Sequence, residues 1–279
     1  MSGKILVLGA TGNVGRPLVD ALVAKGEAVK AASRGGAPVG GAEGVRFDYA
    51  DPSTIPAALE GVDRVFVMLA AGYTDPVAML SPIVEAAAAK GAKVVLMTAL
   101  GVDADDNIPY RQVELKLITS GAPYVIVRPN WFADNFHTFW KAGVSAGHFG
   151  LPAGDGATSF IDLRDLVASI AAVLTTDRFD GQAFAVTGPE ALTYAEAAAI
   201  LSEVIGRPVA YEAIDDAVFI AMLTSFGVPE AYATFLATIF YPVRQGWAAG
   251  VSDAVETLTG RKPIALSTYA RDHADAWKA

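Results

Sequence analysis

A glycine-rich turn near the start of the chain constrains the fold more than any other feature. It follows the apolar run of residues 4–8 and reads Gly9-Ala-Thr-Gly-Asn-Val-Gly15, and apolar residues at helical spacing come directly after it. A strand, such a turn and a helix in this order hold the pyrophosphate of a dinucleotide, because glycines let the backbone approach the phosphates and the helix N-terminus offers N–H groups. An ordinary glycine-rich turn is the alternative. The predicted cofactor contacts in the turn are Gly9, Thr11, Gly12, Asn13, Val14 and Gly15.

The end of the second apolar run indicates which dinucleotide is bound. Residues 28–33 lead to Ser33-Arg34, and no acidic residue stands at this point. In NAD-binding proteins a carboxylate here binds the ribose 2′-hydroxyl, whereas a guanidinium and a hydroxyl can hold a 2′-phosphate. We therefore predict that NADP(H) is preferred over NAD(H), with Ser33 and Arg34 as contacts. The alternative for Arg34 is a solvated arginine in a loop.

The composition excludes several classes of protein. The 279-residue chain has a formal charge of −9, which argues against nucleic acid as a partner. It contains no cysteine, which excludes disulfides and thiol catalysis and fits a reducing, cytoplasmic location. His137, His148 and His273 are scattered without ligand spacing, so no metal site is expected. The first strand begins almost at once, so we expect no N-terminal signal.

The tract 217–243 is apolar enough to be compared with a membrane-spanning helix. Its only charged residue is Glu230, and it is long enough to span a bilayer. However, Gly227, Pro229 and Glu230 interrupt it near the middle. We predict two short helices that line a hydrophobic cavity or form a homodimer face, and no membrane association.

Strand-like and helical segments alternate through the first half of the chain. Near-continuous apolar strands separated by helices indicate a parallel sheet covered on both faces. The predicted fold class is therefore α/β, with a doubly wound, Rossmann-type parallel sheet whose ligands bind at the carboxyl ends of the strands. The predicted strands are residues 5–8, 29–33, 45–47, 65–69, 94–98 and 124–127, and the predicted helices are residues 17–25, 53–60, 77–90 and 111–120.

The pattern changes after Arg128. Aromatic residues cluster over 131–140, a glycine-rich stretch follows, and a helix at 163–174 and a strand at 183–187 come before a mostly helical remainder. We predict a dinucleotide-binding domain of residues 1–129, to whose sheet residues 161–187 return. Residues 130–160 and 188–279 then form a smaller, mostly helical substrate-binding region.

Several motifs along the chain carry a family resemblance. They are the glycine turn, Ser33-Arg34, Asp48-Tyr-Ala-Asp51, Gly61-Val-Asp-Arg-Val-Phe66 and the segments 120–132, 160–165 and 274–277. Over essentially its whole length the chain resembles the NmrA-like branch of the atypical short-chain dehydrogenases. Within that branch it is most similar to the quinone, azo-dye and triphenylmethane reductases. Similar proteins tailor aromatic polyketides, and others only sense the NADP(H) state.

The resemblance implies further cofactor contacts at strand ends. Asp48 is expected to meet the adenine amino group, Leu69 and Ala70 to flank the adenosine, and Thr98 to lie beside the nicotinamide ribose. For Asp48 a turn or a helix cap before Pro52 is an equally good explanation.

The tyrosine–lysine pair that the wider superfamily uses for catalysis is broken in this chain. Tyr110 is followed at the fourth position by Glu114, and Lys116 has the wrong spacing. An adjacent carboxylate raises the pKa of a tyrosine above its usual value of about 10, which is the opposite of what ketone reduction needs. Reduction of a quinone or a cationic dye gives a delocalised, weakly basic product, for which water or a neutral tyrosine suffices. Tyr110 is the first candidate for the hydrogen-bond donor, and Asn130 and His137 are the second candidates.

Aromatic residues provide the predicted wall of a substrate pocket. Trp131, Phe132, Phe136 and Tyr73 can stack on a flat acceptor, although core packing is the better explanation for each of the first three taken singly. The leading hypothesis is an oxidoreductase that transfers hydride from NADPH to a planar conjugated acceptor, such as a quinone or an aromatic polyketide. One alternative is a redox sensor that binds NADP(H) and a protein partner without turnover. Another is a polyketide-tailoring oxidoreductase, or an oxygenase that acts on a hydroquinone.

Overall fold

The computed structural model describes residues 3–277, and the chain folds as two compact units. The first unit comprises the chain up to Pro129 together with Leu166–Ala185 and Thr257–Gly260. The second unit comprises Asn130–Asp165, Val186–Glu256 and the chain from Arg261 onward.

The main sheet belongs to the Rossmann-type α/β class, as predicted. Seven strands form it in the order β3-β2-β1-β4-β5-β6-β9, and the pairings among β1 to β6 are parallel. The order reverses between β1 and β4, and in such sheets ligands bind beside the carboxyl ends of the strands at that reversal. The strands are β1 (Lys4–Val7), β2 (Val29–Ser33), β3 (Glu43–Arg46), β4 (Val62–Val67), β5 (Lys93–Met97), β6 (Tyr124–Pro129), β7 (His148–Leu151), β8 (Ala157–Thr158), β9 (Gln182–Val186), β10 (Leu192–Thr193) and β11 (Ala210–Ala213).

The helices follow the predicted alternation, and α6 has the predicted bounds. Pro76 and Pro109 each stand within the first turn of a helix, where a missing N–H costs little. The helices are α1 (Gly15–Ala24), α2 (Ile55–Ala58), α3 (Pro76–Ala89), α4 (Pro109–Thr119), α5 (Lys141–Ala146), α6 (Leu163–Leu174), α7 (Tyr194–Ile205), α8 (Asp216–Ser225), α9 (Glu230–Thr238), α10 (Tyr241–Arg244), α11 (Ala254–Thr259) and α12 (Leu266–Asp272).

The third strand differs in position from the prediction. It covers Glu43–Arg46 rather than residues 45–47, because Glu43 and Gly44 pair with Lys30 and Ala31 although neither is apolar. It lies at one edge of the sheet and is exposed or half-exposed along its length. An apolar pattern cannot locate the start of such a strand.

The two units have different cores. The core of the first unit consists mainly of aliphatic side chains from the sheet and from α2, α3 and α4. The core of the second unit is rich in aromatic rings, among them Phe136, Phe149, Phe160 and Tyr194. Two small sheets accompany it: β7 pairs with β11 in parallel, and β8 pairs with β10 antiparallel.

The apolar tract 217–243 is divided as predicted. It folds mainly as α8 and α9, with the break at residues 226–229, and then enters α10. Within residues 3–277, none of the helices is long and apolar enough to cross a membrane.

Candidate functional site

Close packing in the glycine turn explains two of its glycines. Gly9 has a φ of +65°, in the left-handed region that favours glycine. A Cβ at position 15 would lie 2.1 Å from the carbonyl oxygen of Gly9, which no side chain can occupy. The turn therefore brings the first residue of α1 against the end of β1.

The same turn presents backbone donors. Within residues 3–277, no acceptor faces the backbone N–H groups of Thr11, Asn13 or Val14, although Val14 is only 3% exposed. Gly12 is exposed, and α1 has neither a side-chain cap nor an acidic residue in its first turn. Unpaired N–H groups at the positive end of a helix suit a phosphate. These residues fit a dinucleotide's pyrophosphate.

Ser33 and Arg34 lie at the carboxyl end of β2. The Ser33 hydroxyl accepts a hydrogen bond from the Gly36 N–H at 3.1 Å. The Arg34 side chain is exposed, and no described residue forms an ion pair with it. An uncompensated guanidinium therefore stands at the predicted 2′-phosphate position.

Asp48 follows β3 and makes the turn contact that was one of its two explanations. Its Oδ1 accepts from the Ala50 N–H at 3.0 Å, while the Thr54 hydroxyl accepts from the Asp48 N–H at 3.2 Å. The helical cap before Pro52 is supplied by Asp51, whose side chain accepts from the Ser53 N–H. The contact of Asp48 with adenine stays a prediction.

The segment after β4 lies beside a group of tyrosines that the sequence did not predict. Leu69 and Ala70 are half-buried, and the Tyr73 ring lies 5.6 Å from the Tyr49 ring. Tyr49 donates a hydrogen bond to the Met68 carbonyl. Burial, reinforced by the neighbouring Tyr110 and Tyr73, raises the pKa of Tyr49 well above its usual range. Tyr73 and Tyr110 thus both lie near Tyr49 in the first unit.

Thr98 is buried at the end of β5, and its hydroxyl proton is used in a hydrogen bond to Glu114. Its Oγ1 donates to Glu114 Oε1 at 2.7 Å, and its backbone N–H donates to the Val127 carbonyl. Because the hydroxyl has a single proton, Thr98 can act toward a ligand only as an acceptor.

Glu114 has buried partners that the sequence did not predict. Its carboxylate is fully buried and accepts from Arg128 Nε at 2.9 Å, Arg128 Nη2 at 2.7 Å and Arg111 Nη1 at 3.0 Å, in addition to Thr98. Two guanidinium groups therefore compensate its charge, which weakens the influence that an adjacent carboxylate would have on Tyr110. Its position between buried Val113 and Leu117 was the available signal, since a charged residue on the apolar face of a helix needs a buried partner.

Tyr110 lies in the first turn of α4, half-buried against the core of the first unit. Its role as a donor stays a prediction.

Asn130 is occupied by structural hydrogen bonds. Its Nδ2 donates to Ser159 Oγ at 2.7 Å and to the Ala248 carbonyl at 2.8 Å, and its Oδ1 accepts from the Trp131 N–H at 2.9 Å. Both amide protons are used, and the residue is 5% exposed. In this structure Asn130 ties together three segments of the second unit and has no proton to offer a substrate.

The aromatic residues after β6 differ in exposure. Phe136 is completely buried and packs edge-on against Trp140 and Phe160, so in the structure it is a core residue. Trp131 and Phe132 are half-buried, and Trp131 stacks on Phe240 with 4.4 Å between ring centroids. These two retain exposed surface, as a pocket wall requires.

His137 belongs to a cluster that its sequence neighbours do not reveal. Its Nδ1 hydrogen-bonds the buried Tyr269 hydroxyl, and its ring stacks on His273 with 4.6 Å between centroids. Burial, aided by the nearby His273, lowers the pKa of His137. Two of the three histidines described as scattered are therefore in contact, and one oxygen of Asp134 lies within 4.8 Å of a ring nitrogen of each.

A parallel sheet with this strand order and a glycine turn after β1 defines a Rossmann-type protein. A model of the NmrA-like family matches residues 1–255, and the chain belongs to that family. The NAD(P)H azoreductase of Xenophilus azovorans is 35% identical over 285 residues, which cover 99% of each chain. A second relative, the (4-alkanoyl-5-oxo-2,5-dihydrofuran-3-yl)methyl phosphate reductase of Streptomyces griseus, is 35% identical over 98% of this chain and 99% of its own. The NADPH complex of the Escherichia coli NADPH-dependent quinone oxidoreductase has the same fold, with a TM-score of 0.85 at 24% identity over 96% of this chain and 99% of its own.

Proposed function

We propose that this protein transfers hydride from NADPH to a planar, conjugated acceptor such as a quinone. Its class is that of the NAD(P)H-dependent oxidoreductases of the quinone- and azo-dye-reductase type, in keeping with the family and with the relatives' names. The observation that carries the proposal is the glycine turn with its unpaired N–H groups, followed at the end of β2 by an unpaired arginine.

The first unit supplies the groups that would hold the cofactor. The glycine turn would bind the pyrophosphate, and Ser33 and Arg34 the 2′-phosphate. Asp48, Leu69 and Ala70 are proposed contacts of the adenosine. Thr98, with its proton committed to Glu114, would accept a hydrogen bond from a ribose hydroxyl. When bound, NADPH supplies the hydride.

The missing tyrosine–lysine pair favours a conjugated acceptor. Reduction of an isolated ketone creates a basic alkoxide, which needs a positioned proton donor of suitable pKa. No lysine stands one helical turn after Tyr110, and the residue there, Glu114, is bound to two arginines and a threonine. A quinone gives a delocalised, weakly basic product, for which hydrogen bonding by Tyr110 suffices. The names of the relatives described above include a quinone, an azo function and an acylated dihydrofuranone, which share a conjugated, electron-poor π system.

Steady-state oxidation of NADPH, followed at its absorbance band, tests this function with a panel of quinones, anthraquinones and azo dyes. We expect turnover with at least one planar acceptor and none with an isolated aliphatic ketone. Arg34→Ala should raise the KM for NADPH at least about tenfold and leave the KM for NADH unchanged, since a hydrogen bond to a charged group contributes about 1.5–3 kcal/mol. Tyr110→Phe should lower kcat with little effect on the KM for NADPH.

Arg178→Ala is the matched control, because Arg178 is also exposed and in the first unit, and among the described residues its guanidinium lies against the Phe179 ring and forms no ion pair. It should leave both KM values unchanged. Equal losses with NADPH and NADH in Arg34→Ala would contradict the assignment of the 2′-phosphate contact.

A redox sensor without turnover is the second candidate function, favoured by the same absence of a catalytic lysine. It predicts tight binding of NADP(H) by calorimetry and no oxidation with any acceptor of the panel. That result would replace the reductase proposal.

A further inference from the structure

We infer that Asp134, His137 and His273 form a binding site for one divalent transition-metal ion, of the class of Zn²⁺, in the second unit. One ligand atom of each side chain lies within 4.8 Å of the others. Two imidazole nitrogens and one carboxylate oxygen are ligands that Zn²⁺ and other divalent first-row transition metals bind. Three protein ligands leave a fourth coordination position for water. The inference does not depend on the proposed reductase function.

Backbone contacts hold the three residues in place. Asp134 lies in the short 3₁₀ turn Ala133–Phe136, and the His137 N–H donates to the Asp134 carbonyl at 3.2 Å. His273 follows the last residue of α12, and its N–H donates to the Tyr269 carbonyl at 3.1 Å. The site thus joins a turn near the middle of the chain to its C-terminal helix.

Neighbouring groups orient two of the ligands as metal sites require. Tyr269 Oη, from a completely buried residue, hydrogen-bonds His137 Nδ1 and leaves His137 Nε2 for the metal. Asp134 Oδ2 accepts from the Leu163 N–H at 3.1 Å, which holds the carboxylate. Ligating histidines commonly use their second ring nitrogen in this way, and ligating carboxylates are likewise hydrogen-bonded.

The remaining ligand, His273, is held by ring contacts with His137 and Tyr269. Within residues 3–277, no group hydrogen-bonds the ring nitrogens of His273, and the residue is half-exposed. Tetrahedral coordination with bonds of about 2.0–2.1 Å places ligand atoms about 3.3 Å apart. The His273 ring is 10° from parallel to that of His137, so metal binding requires the His273 side chain to rotate until its ring nitrogen points toward the shared position.

The surroundings favour a cation. Asp162 and Asp272 both bind Arg164, at 2.6 Å and 2.7 Å, so one guanidinium serves two carboxylates. With Asp134, this side of the second unit carries three carboxylates and one arginine, and Lys141 is the other nearby cation. With three negative and two positive side chains, this region carries a net charge of −1, which favours binding of a cation.

Titration of the chelator-treated, full-length protein with Co²⁺ tests the site, because Co²⁺ takes the place of Zn²⁺ and gives visible absorption that reports its coordination. We expect one Co²⁺ per chain, displaced by Zn²⁺. His273→Ala, His137→Ala and Asp134→Ala should each weaken Co²⁺ binding at least tenfold. His148→Ala is the control, since the remaining histidine is exposed and pairs with the exposed Glu212, so its loss should not change Co²⁺ binding.

Thermal unfolding separates loss of the site from loss of the fold. Zn²⁺ should raise the Tm of the wild type and of His148→Ala, because a ligand that binds only the folded state stabilises it, but not that of His273→Ala. Within the described residues no group hydrogen-bonds the His273 side chain, but its ring packs on His137 and Tyr269, so His273→Ala should lower the metal-free Tm slightly and still unfold cooperatively. Absence of a stoichiometric Co²⁺ spectrum, or equal binding by wild type and His273→Ala, would overturn the inference.

Discussion

The two units present their candidate functional groups in different ways. In the first unit the groups are mostly backbone atoms and short side chains at strand ends, such as the N–H groups of the glycine turn and the hydroxyl of Thr98. In the second unit they are rings, such as Trp131 and the stacked His137 and His273. Strand ends are placed by the sheet itself, whereas rings are placed only by the core around them.

The two units also differ in the polar groups that they bury. The first unit buries the charge of Glu114 among two arginines, next to the end of the strand that carries Thr98. The second unit buries the amide of Asn130 and surrounds its candidate residues with aromatic packing. We therefore expect cofactor binding to depend on backbone geometry and ion pairs in the first unit, and to be insensitive to the aromatic core of the second.

The largest expected effect on cofactor binding is at Gly15. Gly15→Ala places a methyl group where the Gly9 carbonyl oxygen lies at 2.1 Å, so the turn must open. We expect NADPH affinity, measured by calorimetry, to fall about a hundredfold or more, since the phosphate-binding N–H groups move together. Gly250→Ala is the control, because nothing lies within 4 Å of a Cβ there. Unchanged NADPH affinity in Gly15→Ala would break the link between backbone geometry and binding.

The largest expected effect on stability is at Glu114. Glu114→Ala leaves the Arg128 guanidinium buried without its main partner, and the loss of one partner of a buried pair costs about 3–5 kcal/mol of unfolding free energy. Urea denaturation measures this. Glu85→Ala removes the exposed partner of Lys116 and should cost less than about 1 kcal/mol. Similar losses in both variants would show that burial of Glu114 does not set its contribution.

The smallest effect is expected at Phe136, in the second unit. Phe136→Leu removes ring contacts with Trp140, Phe149 and Phe160 and should cost about 1–2 kcal/mol in urea denaturation. Phe139→Leu, at a residue 76% exposed, should stay within about 0.5 kcal/mol. Both variants should bind NADPH like the wild type. A drop in NADPH affinity in Phe136→Leu alone would show that the aromatic core also controls the cofactor site.

Local sequence patterns were sufficient to predict the fold class and the glycine turn of the first unit. Apolar runs separated by helical segments predicted the parallel sheet, because a strand that is buried on both faces consists of consecutive apolar residues. The edge strand β3 was misplaced, since exposed residues pair there without an apolar signal. The break of the tract 217–243 was predictable because glycine and proline act on the backbone locally.

What the sequence by itself determined is the set of features that depend on neighbours along the chain: the alternation of strands and helices, the glycine turn, and an arginine in place of a carboxylate after β2. Tertiary structure alone decided which distant residues meet. It joined Glu114 to Arg128 and Thr98, used both amide protons of Asn130, and brought His137 and His273 together. Such contacts depend on how helices and loops pack after the chain has folded, so no spacing in the sequence records them.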